Sequence, residues 1–133
     1  MKKSRADIER YVKEVKAAVH AGRYRIEHSS RRPANENLLR EYLIGEDHIR
    51  RILLTLTADD FCKVLHNTHK GFEQEELYVF GKDVELRQRF GPEKETVSLY
   101  IKINRLKDQF VIIVSFHKQT YPLIHAFSNK TAK

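Results

Sequence analysis

A run of strict alternation between apolar and polar residues, from Val97 to Asn104, is the feature that most constrains the fold. Side chains of a β-strand point alternately to its two faces, so each set occupies one face. The apolar set is Val97, Leu99, Ile101 and Ile103, and the polar set is Ser98, Tyr100, Lys102 and Asn104. After five turn residues, Phe110 to His117 is mostly apolar and predicts a central strand. The chain is therefore expected to form a sheet with one buried face and one polar face.

Helices are predicted ahead of these strands. From Ser4 to His20, apolar residues recur at helical spacing behind a capping box. A second helix is predicted over Glu46–Leu56 and a third over Ala58–His66, which Thr57 would cap. Helices followed by strands predict an α+β domain, with N-terminal helices packed on one face of a small antiparallel sheet.

The remaining segments give weaker signals. Tyr24–Ser29 reads as a short strand and Ser29–Asn37 as a turn. Leu77–Phe80 and Val84–Leu86 are predicted as two short strands, separated by a glycine-containing turn. Thr120–Phe127 is predicted as an edge strand, because its proline cannot donate a hydrogen bond within a central strand.

Length and charge favour one basic domain with a polyanionic partner. The 133 residues suit a single domain, 1–133, and 25 Lys and Arg against 18 Asp and Glu give a net charge of +7. Such a charge favours nucleic acid, since phosphate contacts release condensed counterions, although solubility alone would also account for it. The charged N-terminus does not resemble a secretory signal, and the apolar runs are too short to span a bilayer. We therefore expect a soluble, cytoplasmic protein without membrane contact.

The polar face of the predicted sheet carries a set of residues suited to phosphodiester chemistry. Tyr100 and Lys102 share a face, and Ser115 and His117 join them if the neighbouring apolar residues of their strand pack into the core. That core set is Phe110, Ile112, Val114 and Phe116. Lysine offers positive charge to phosphate, histidine moves protons near neutral pH, and tyrosine stacks on bases. An ordinary solvated sheet face explains the same spacing.

Other chemistries find less support. His66 and His69 are the closest pair of histidines, and without nearby carboxylate or thiol partners they are expected at a solvated helix end. Cys62 is the only cysteine, and its apolar neighbours predict a packed residue rather than a nucleophile. The chain has no phosphate-binding glycine loop, nucleophile elbow or dinucleotide fingerprint. No metal or cofactor is predicted.

Four segments resemble, in order, the sequence blocks of MqsR-type toxins, which are small RelE-like ribonucleases of bacterial type II toxin–antitoxin modules. These segments are VKEVKAAVHAGRYRI, LLTLTADDFCKVLHNT, EELYVF and SLYIKINRLKDQFVIIVSFH. The resemblance covers roughly Ile8 to His117, and the tail beyond Lys118 exceeds the usual length of the family. Its most specific parts are L-T-x-x-D-F-x-K, which ends at Lys63, and the paired strands with Y-x-K-I and I-V-S-F.

The resemblance implies metal-independent cleavage of mRNA, in which a ribose 2′-OH attacks the adjacent phosphate. The important lysine of the family falls on Lys63 and its strand tyrosine on Tyr100. Its glutamine, three residues before a tyrosine, falls on Glu75, ahead of Tyr78. Its lysine after S-F falls on His117. Glu75 or His117 is a better general base near neutral pH than the residue it replaces.

The expected catalytic residues are thus Lys63, Glu75, Tyr100 and His117, and the expected RNA-binding residues are Gln74, Tyr78, Lys102 and Lys118. The lysines would neutralise the phosphate, while His117 or Glu75 takes the 2′-OH proton and the other, or Tyr100, protonates the leaving oxygen. The family also implies a cognate antitoxin with a DNA-binding helix-turn-helix region, and leaves a ribosomal partner open. Two alternatives remain: a non-catalytic RNA- or ribosome-binding module, and an inactive relative that acts only through its antitoxin.

Overall fold

In the computed structural model, which describes residues 3–27 and 33–127, three helices lie against one face of a five-stranded sheet. The helices are α1 (Arg5–His20), α2 (Pro33–Glu41) and α3 (Glu46–Leu54). The strands are β1 (Tyr24–Ile26), β2 (Phe61–His66), β3 (Glu76–Arg87), β4 (Lys94–Arg105) and β5 (Val111–Lys118). The predicted α+β class, with its helices ahead of most strands, is confirmed. No helix in the described ranges is both long enough and apolar enough to cross a membrane.

The sheet has the strand order β1-β5-β4-β3-β2. The pairs β3–β4 and β4–β5 are antiparallel, as expected for the predicted sheet, and β2, which was not predicted as a strand, also pairs antiparallel with β3. The β1–β5 pair is parallel, with Tyr24 opposite Val111, so the sheet as a whole is mixed. Since β4 and β5 occupy central positions, the polar residues of these two strands lie in the middle of the sheet.

The core lies between the helices and one face of the sheet, as the alternation of β4 predicts. Leu99, Ile101 and Ile103 are fully buried there, and Ile8 and Val19 of α1 belong to the same apolar cluster. The apolar side chains of β4 thus occupy the helix-covered face. We call the opposite surface the open face of the sheet.

The prediction of a helix over Ala58–His66 is wrong. Only a single 3-10 turn, Ala58–Asp60, forms there, and the backbone N–H of Thr57 donates to the Asp60 carboxylate at 2.9 Å. From Phe61 the chain is extended as β2, because pairing with β3 satisfies its backbone and buries Phe61. The capping box of Thr57 and Asp60 therefore forms as predicted, but it starts only one turn. The residues after it pair with another strand, and their own sequence preference does not indicate this pairing.

Three other predicted elements differ in kind, and the helix predicted over Glu46–Leu56 ends two residues early, at Leu54. Residues 29–32 of the turn predicted over Ser29–Asn37 lie outside the described residues, and the rest of it belongs to the helix Pro33–Glu41. The proline lies in the first turn of this helix, where the missing N–H is tolerated. The two short strands predicted around Gly81 form one continuous strand, β3. Thr120–Phe127 forms no edge strand and crosses the open face as irregular chain. A Cβ atom on Gly81 would lie 2.9 Å from Leu123 Cδ1, so a larger residue there would require the crossing segment's side chains to shift.

A β-bulge in β5 decides which of its side chains reach the open face. Lys102 pairs with Ser115 but Ile103 pairs with Ile113, so Val114 is an extra residue. As a result Ile113, rather than the predicted Ile112 and Val114, joins the buried core, whereas Ser115 remains on the open face as predicted. Phe110, also predicted in the core, precedes β5 and is only half-buried.

The side chain of Asn35 on α2 holds this bulge. It is 3% exposed, and its amide nitrogen donates to Glu27 O at 2.9 Å and Val114 O at 3.2 Å. Its amide oxygen accepts from the N–H of Phe116 at 2.8 Å. Three backbone groups around the bulge therefore depend on one buried side chain.

We expect Asn35→Ala to lower the free energy of unfolding by about 2 kcal/mol, because it leaves buried backbone groups without partners. Urea denaturation followed by circular dichroism measures the change. Asn37→Ala is the matched control, since Asn37 lies on the same helix but is exposed, and it should change stability by less than about 0.5 kcal/mol. Equal losses in both variants would contradict the role given to Asn35.

Candidate active site

Polar and charged side chains gather in the middle of the open face, across neighbouring strands. Lys63 pairs with Val79, Val79 with Lys102, and Lys102 with Ser115, so these four residues form one row across the sheet. Tyr100 pairs with His117 in the adjacent row on the same face. The structure therefore brings together Lys63, Tyr100, Lys102 and His117, which the sequence predicted to act at one site.

His117 and Tyr100 form a stacked pair. Their ring centroids are 5.1 Å apart and the ring planes differ by 6°. The Nδ1 atom of His117 lies 2.7 Å from the backbone oxygen of Lys118, an acceptor, so Nδ1 must carry a proton. In the neutral imidazole the lone pair is then on Nε2, which is the arrangement of a general base.

Lys63 lies against Tyr121, a residue of the C-terminal segment. Its Nζ atom donates to the Tyr121 hydroxyl oxygen at 2.9 Å and lies 5.1 Å from the centroid of the ring. The hydrogen bond to Tyr121 raises the pKa of Lys63 above its ordinary value. Lys63 is thus a fixed positive charge at neutral pH, suited to a phosphate group and not to proton abstraction.

Tyr100 keeps its proton at neutral pH. Burial, followed by the nearby Tyr121 hydroxyl, raises its pKa above the ordinary value, although Lys63 acts in the opposite direction. The Nζ atom of Lys102 lies 5.9 Å from the centroid of its ring. A cavity of about 270 Å³ lies over this group, lined by Ala34, Asn35, Tyr100, Lys102, Ser115, His117, Thr120 and Tyr121. The site thus combines one lysine, a histidine and two phenols around one depression, with Lys63 behind Tyr121 at its edge.

Tyr121 is the site residue that the sequence did not reveal. Its segment is anchored on both sides: Gln119 donates to Ser98 O at 2.8 Å and Ala126 to Phe61 O at 2.9 Å. Between these points Leu123 is buried against Val79 and Tyr100. An Nε2 hydrogen bond of 2.9 Å joins His125 to Gly81 O. The only available signal was the glycine in the middle of β3, which indicates a close chain crossing.

Two predicted RNA-binding residues lie away from this cluster. Lys118 is on the helix side of β5, where its Nζ atom is 3.1 Å from a carboxylate oxygen of Glu41 and 5.1 Å from the Tyr42 ring centroid. Tyr78 also belongs to the helix-covered face, stacked on Tyr11 with centroids 3.7 Å apart. Neither side chain reaches the open-face cluster, because each is paired with a residue of β4 that faces the helices. Tyr78 is opposite Ile103, and Lys118 is opposite Leu99.

Glu75 and Gln74 lie at the far end of the open face. The Glu75 carboxylate accepts a hydrogen bond of 3.0 Å from Asn104, whereas His117 pairs with Tyr100. Tyr100 and Asn104 are four residues apart on one strand, about 13 Å. Gln74 is exposed and lines the same distant cavity as Glu75. The predicted acid–base pair of Glu75 and His117 is therefore not brought together.

Cys62 and the histidine pair of the sequence analysis have surroundings that suit neither a nucleophile nor a metal site. Burial raises the pKa of the Cys62 thiol to about 11, which keeps it protonated at neutral pH and suits the predicted packing role. His66 and His69 are both exposed. Within residues 3–27 and 33–127, no three His, Cys, Asp or Glu side chains are grouped as metal ligands.

Comparisons with known proteins give no relatives for this chain: no family model, no curated protein and no solved structure matches it.

Proposed function

We propose that this protein is an endoribonuclease that cleaves mRNA without a metal ion, as the toxin of a type II toxin–antitoxin module. The proposal joins the resemblance to MqsR-type toxins with the chemistry of the open-face cluster. One observation carries it: Tyr100, Lys102 and His117 surround one cavity together with Tyr121. Lys63 lies on the same face, where its Nζ atom donates to the Tyr121 hydroxyl. A ribonuclease that uses the 2′-OH as nucleophile needs positive charge, a base and an acid at a single linkage.

The two lysines stabilise the phosphate. Lys63 and Lys102 occupy the same row of the sheet, and Lys63 is held charged by its hydrogen bond to Tyr121. As the pentavalent transition state forms, negative charge grows on the non-bridging oxygens. Fixed cations at that position lower the barrier more than they strengthen ground-state binding.

His117 is the general base in this scheme. Its Nε2 atom takes the proton of the ribose 2′-OH while the 2′-oxygen forms a bond to phosphorus. The bond from phosphorus to the 5′-oxygen breaks, which leaves a 2′,3′-cyclic phosphate on one product. Stacking on Tyr100 and the Nδ1 contact to Lys118 O fix the orientation of the ring.

Tyr121 supplies the proton to the leaving 5′-oxygen. Its hydroxyl oxygen already accepts from Lys63, so its own O–H is available to donate. The side chain is 48% exposed at the rim of the cavity, where a bound RNA strand can reach it. Tyr100, which stays protonated, donates to a non-bridging oxygen of the phosphate.

The toxin assignment extends to location and partners. Such a protein acts on mRNA in the bacterial cytoplasm and is held inactive by a cognate antitoxin that carries a DNA-binding helix-turn-helix region. The net charge of +7 supports a polyanionic substrate of this kind.

Purified full-length protein, freed of any partner, is expected to cleave a long mRNA in the presence of excess EDTA. Cleavage is followed by gel electrophoresis, and mapping of the new 5′ ends reads the preferred sequence. RNA that stays intact over hours, while still bound with steep salt dependence, would instead establish a non-catalytic binding module. Protein that neither binds nor cuts RNA would contradict the proposal altogether.

A further inference from the structure

A second and larger cavity, of about 870 Å³, lies where β4 ends and β3 begins. Phe72, Glu75, Asn104 and Arg105 are among the residues that line it. Its volume is in the range of small-molecule and nucleotide sites. The function proposed above uses none of these side chains.

The carboxylate of Glu75 is held in a fixed orientation at this cavity. The side-chain amides of Asn67 and Asn104 both donate to its Oε1 atom, each at 3.0 Å. Its backbone N–H donates to Phe72 O, and its backbone oxygen accepts from Asn67, both at 3.0 Å. The other carboxylate oxygen, Oε2, has no hydrogen-bond partner in the described part of the chain. One acceptor is therefore positioned for a ligand.

Asn104 provides a second acceptor beside the first. The residue is 7% exposed, and its amide nitrogen is used by Glu75. Its amide oxygen forms no hydrogen bond within residues 3–27 and 33–127, and it is open to the cavity that Asn104 lines. A ligand in the cavity can therefore donate a hydrogen bond to it.

Phe72 forms an aromatic surface at the edge of the same cavity. It is 55% exposed, which leaves its ring available for stacking. An exposed ring beside hydrogen-bonding groups is the arrangement by which proteins hold an unstacked base of single-stranded RNA.

The cavity lies beyond the open-face cluster along β4, and no described residue lines both cavities. Asn104 lies two residues beyond Lys102 on the same face, a distance of about 7 Å. An RNA strand with one phosphate at Lys102 can therefore reach Asn104 with a neighbouring nucleotide. Arg105 and Lys107 also line the cavity and offset part of the charge of its four carboxylates, which are Glu73, Glu75, Glu76 and Asp108.

We propose that this cavity binds one nucleobase next to the scissile linkage and selects a base that carries an exocyclic amino group. The inference rests on the proposed function and adds a specificity site to it. Adenine, cytosine and guanine present an amino group to the two acceptors, Glu75 Oε2 and Asn104 Oδ1. Uracil presents carbonyl oxygens on either side of its single N–H, and these oxygens are repelled by a carboxylate.

The test is binding of single-stranded RNA decamers by fluorescence anisotropy at fixed salt. The decamers are 2′-O-methylated poly-A, poly-C and poly-U, which cannot be cut because their 2′-oxygen is blocked. Wild-type protein is expected to bind the A and C decamers about 10-fold more tightly than the U decamer. In Glu75→Gln this ratio should fall close to one, because an amide can also donate to the carbonyl oxygens of uracil.

Phe72→Ala should weaken binding of all three decamers by about 10-fold, since stacking does not depend on base identity. Glu93→Gln and Phe90→Ala are matched controls, because both residues are exposed in the turn between β3 and β4, and they should leave all affinities unchanged.

A wild-type protein without preference against uracil, or a preference that survives in Glu75→Gln, would overturn the inference. These outcomes are independent of catalysis, since the decamers cannot be cleaved. If the wild-type protein cleaves mRNA in EDTA but the base preference is the same in Glu75→Gln, the specificity site is wrong and the proposed nuclease function still stands.

Discussion

Replacing Lys63 and His117 together with alanine will reduce mRNA cleavage by at least about 10⁴-fold, to the limit of detection, and will leave the melting temperature nearly unchanged. The double variant removes both the charge that stabilises the transition state and the base that starts the reaction. Neither side chain is part of the buried core, so the fold should persist. The rate of loss of a defined mRNA measures the first effect, and thermal denaturation measures the second.

Lys94→Ala combined with His20→Ala is the matched control for that experiment. It removes the same two residue types from exposed positions, at the start of β4 and the end of α1. We expect this control to cut at the wild-type rate. A Lys63 and His117 double variant that cuts as fast as the control would show that the site assignment is wrong.

Tyr121→Phe is expected to slow cleavage by about 100-fold, the usual effect of losing a general acid. The substitution keeps the ring that Lys63 contacts and removes only the hydroxyl group. Because Tyr121 is 48% exposed, we expect little change in stability. Single-turnover rates on one RNA substrate provide the measurement.

A substrate with sulfur in place of the leaving 5′-oxygen distinguishes a general-acid role of Tyr121 from a structural role. A thiolate leaves without protonation, so Tyr121→Phe should cut this substrate at the wild-type rate, whereas His117→Ala should remain slow. Tyr24→Phe, on the edge strand β1, is the control and should behave as wild type on both substrates. An equal defect of Tyr121→Phe on both substrates would exclude the acid role.

Much of the fold follows from local patterns. The alternation in β4 predicts which residues are buried, because extended backbone sends neighbouring side chains to opposite faces whatever the partner strand is. The capping box of Ser4 and Asp7 predicts the start of α1 for a similar reason, since its hydrogen bonds join residues three apart. By contrast, the pattern of Ala58–His66 predicts a helix, whereas part of this segment is the strand β2. The strand is stabilised by pairing with β3, and that partner lies outside the segment whose pattern is read.

The candidate site divides in the same way. Tyr100 and Lys102 could be assigned to one face from spacing alone. The arrival of His117 beside them depends on the bulge at Val114, which Asn35 of α2 holds through contacts 79 residues away in the chain. Tyr121 could not be found from spacing at all, since it reaches Lys63 through a chain crossing over Gly81.

The sequence by itself therefore determined the α+β class, the two faces of β4 and the chemical types available on the open face. These depend on periodicity and on side-chain identity, which are local properties. Only the tertiary structure decided that Tyr121 joins Lys63, that Glu75 lies far from His117 and that Tyr78 and Lys118 face the helices. Those relations come from strand register, a bulge and a chain crossing, each of which is selected by contacts between residues far apart in sequence.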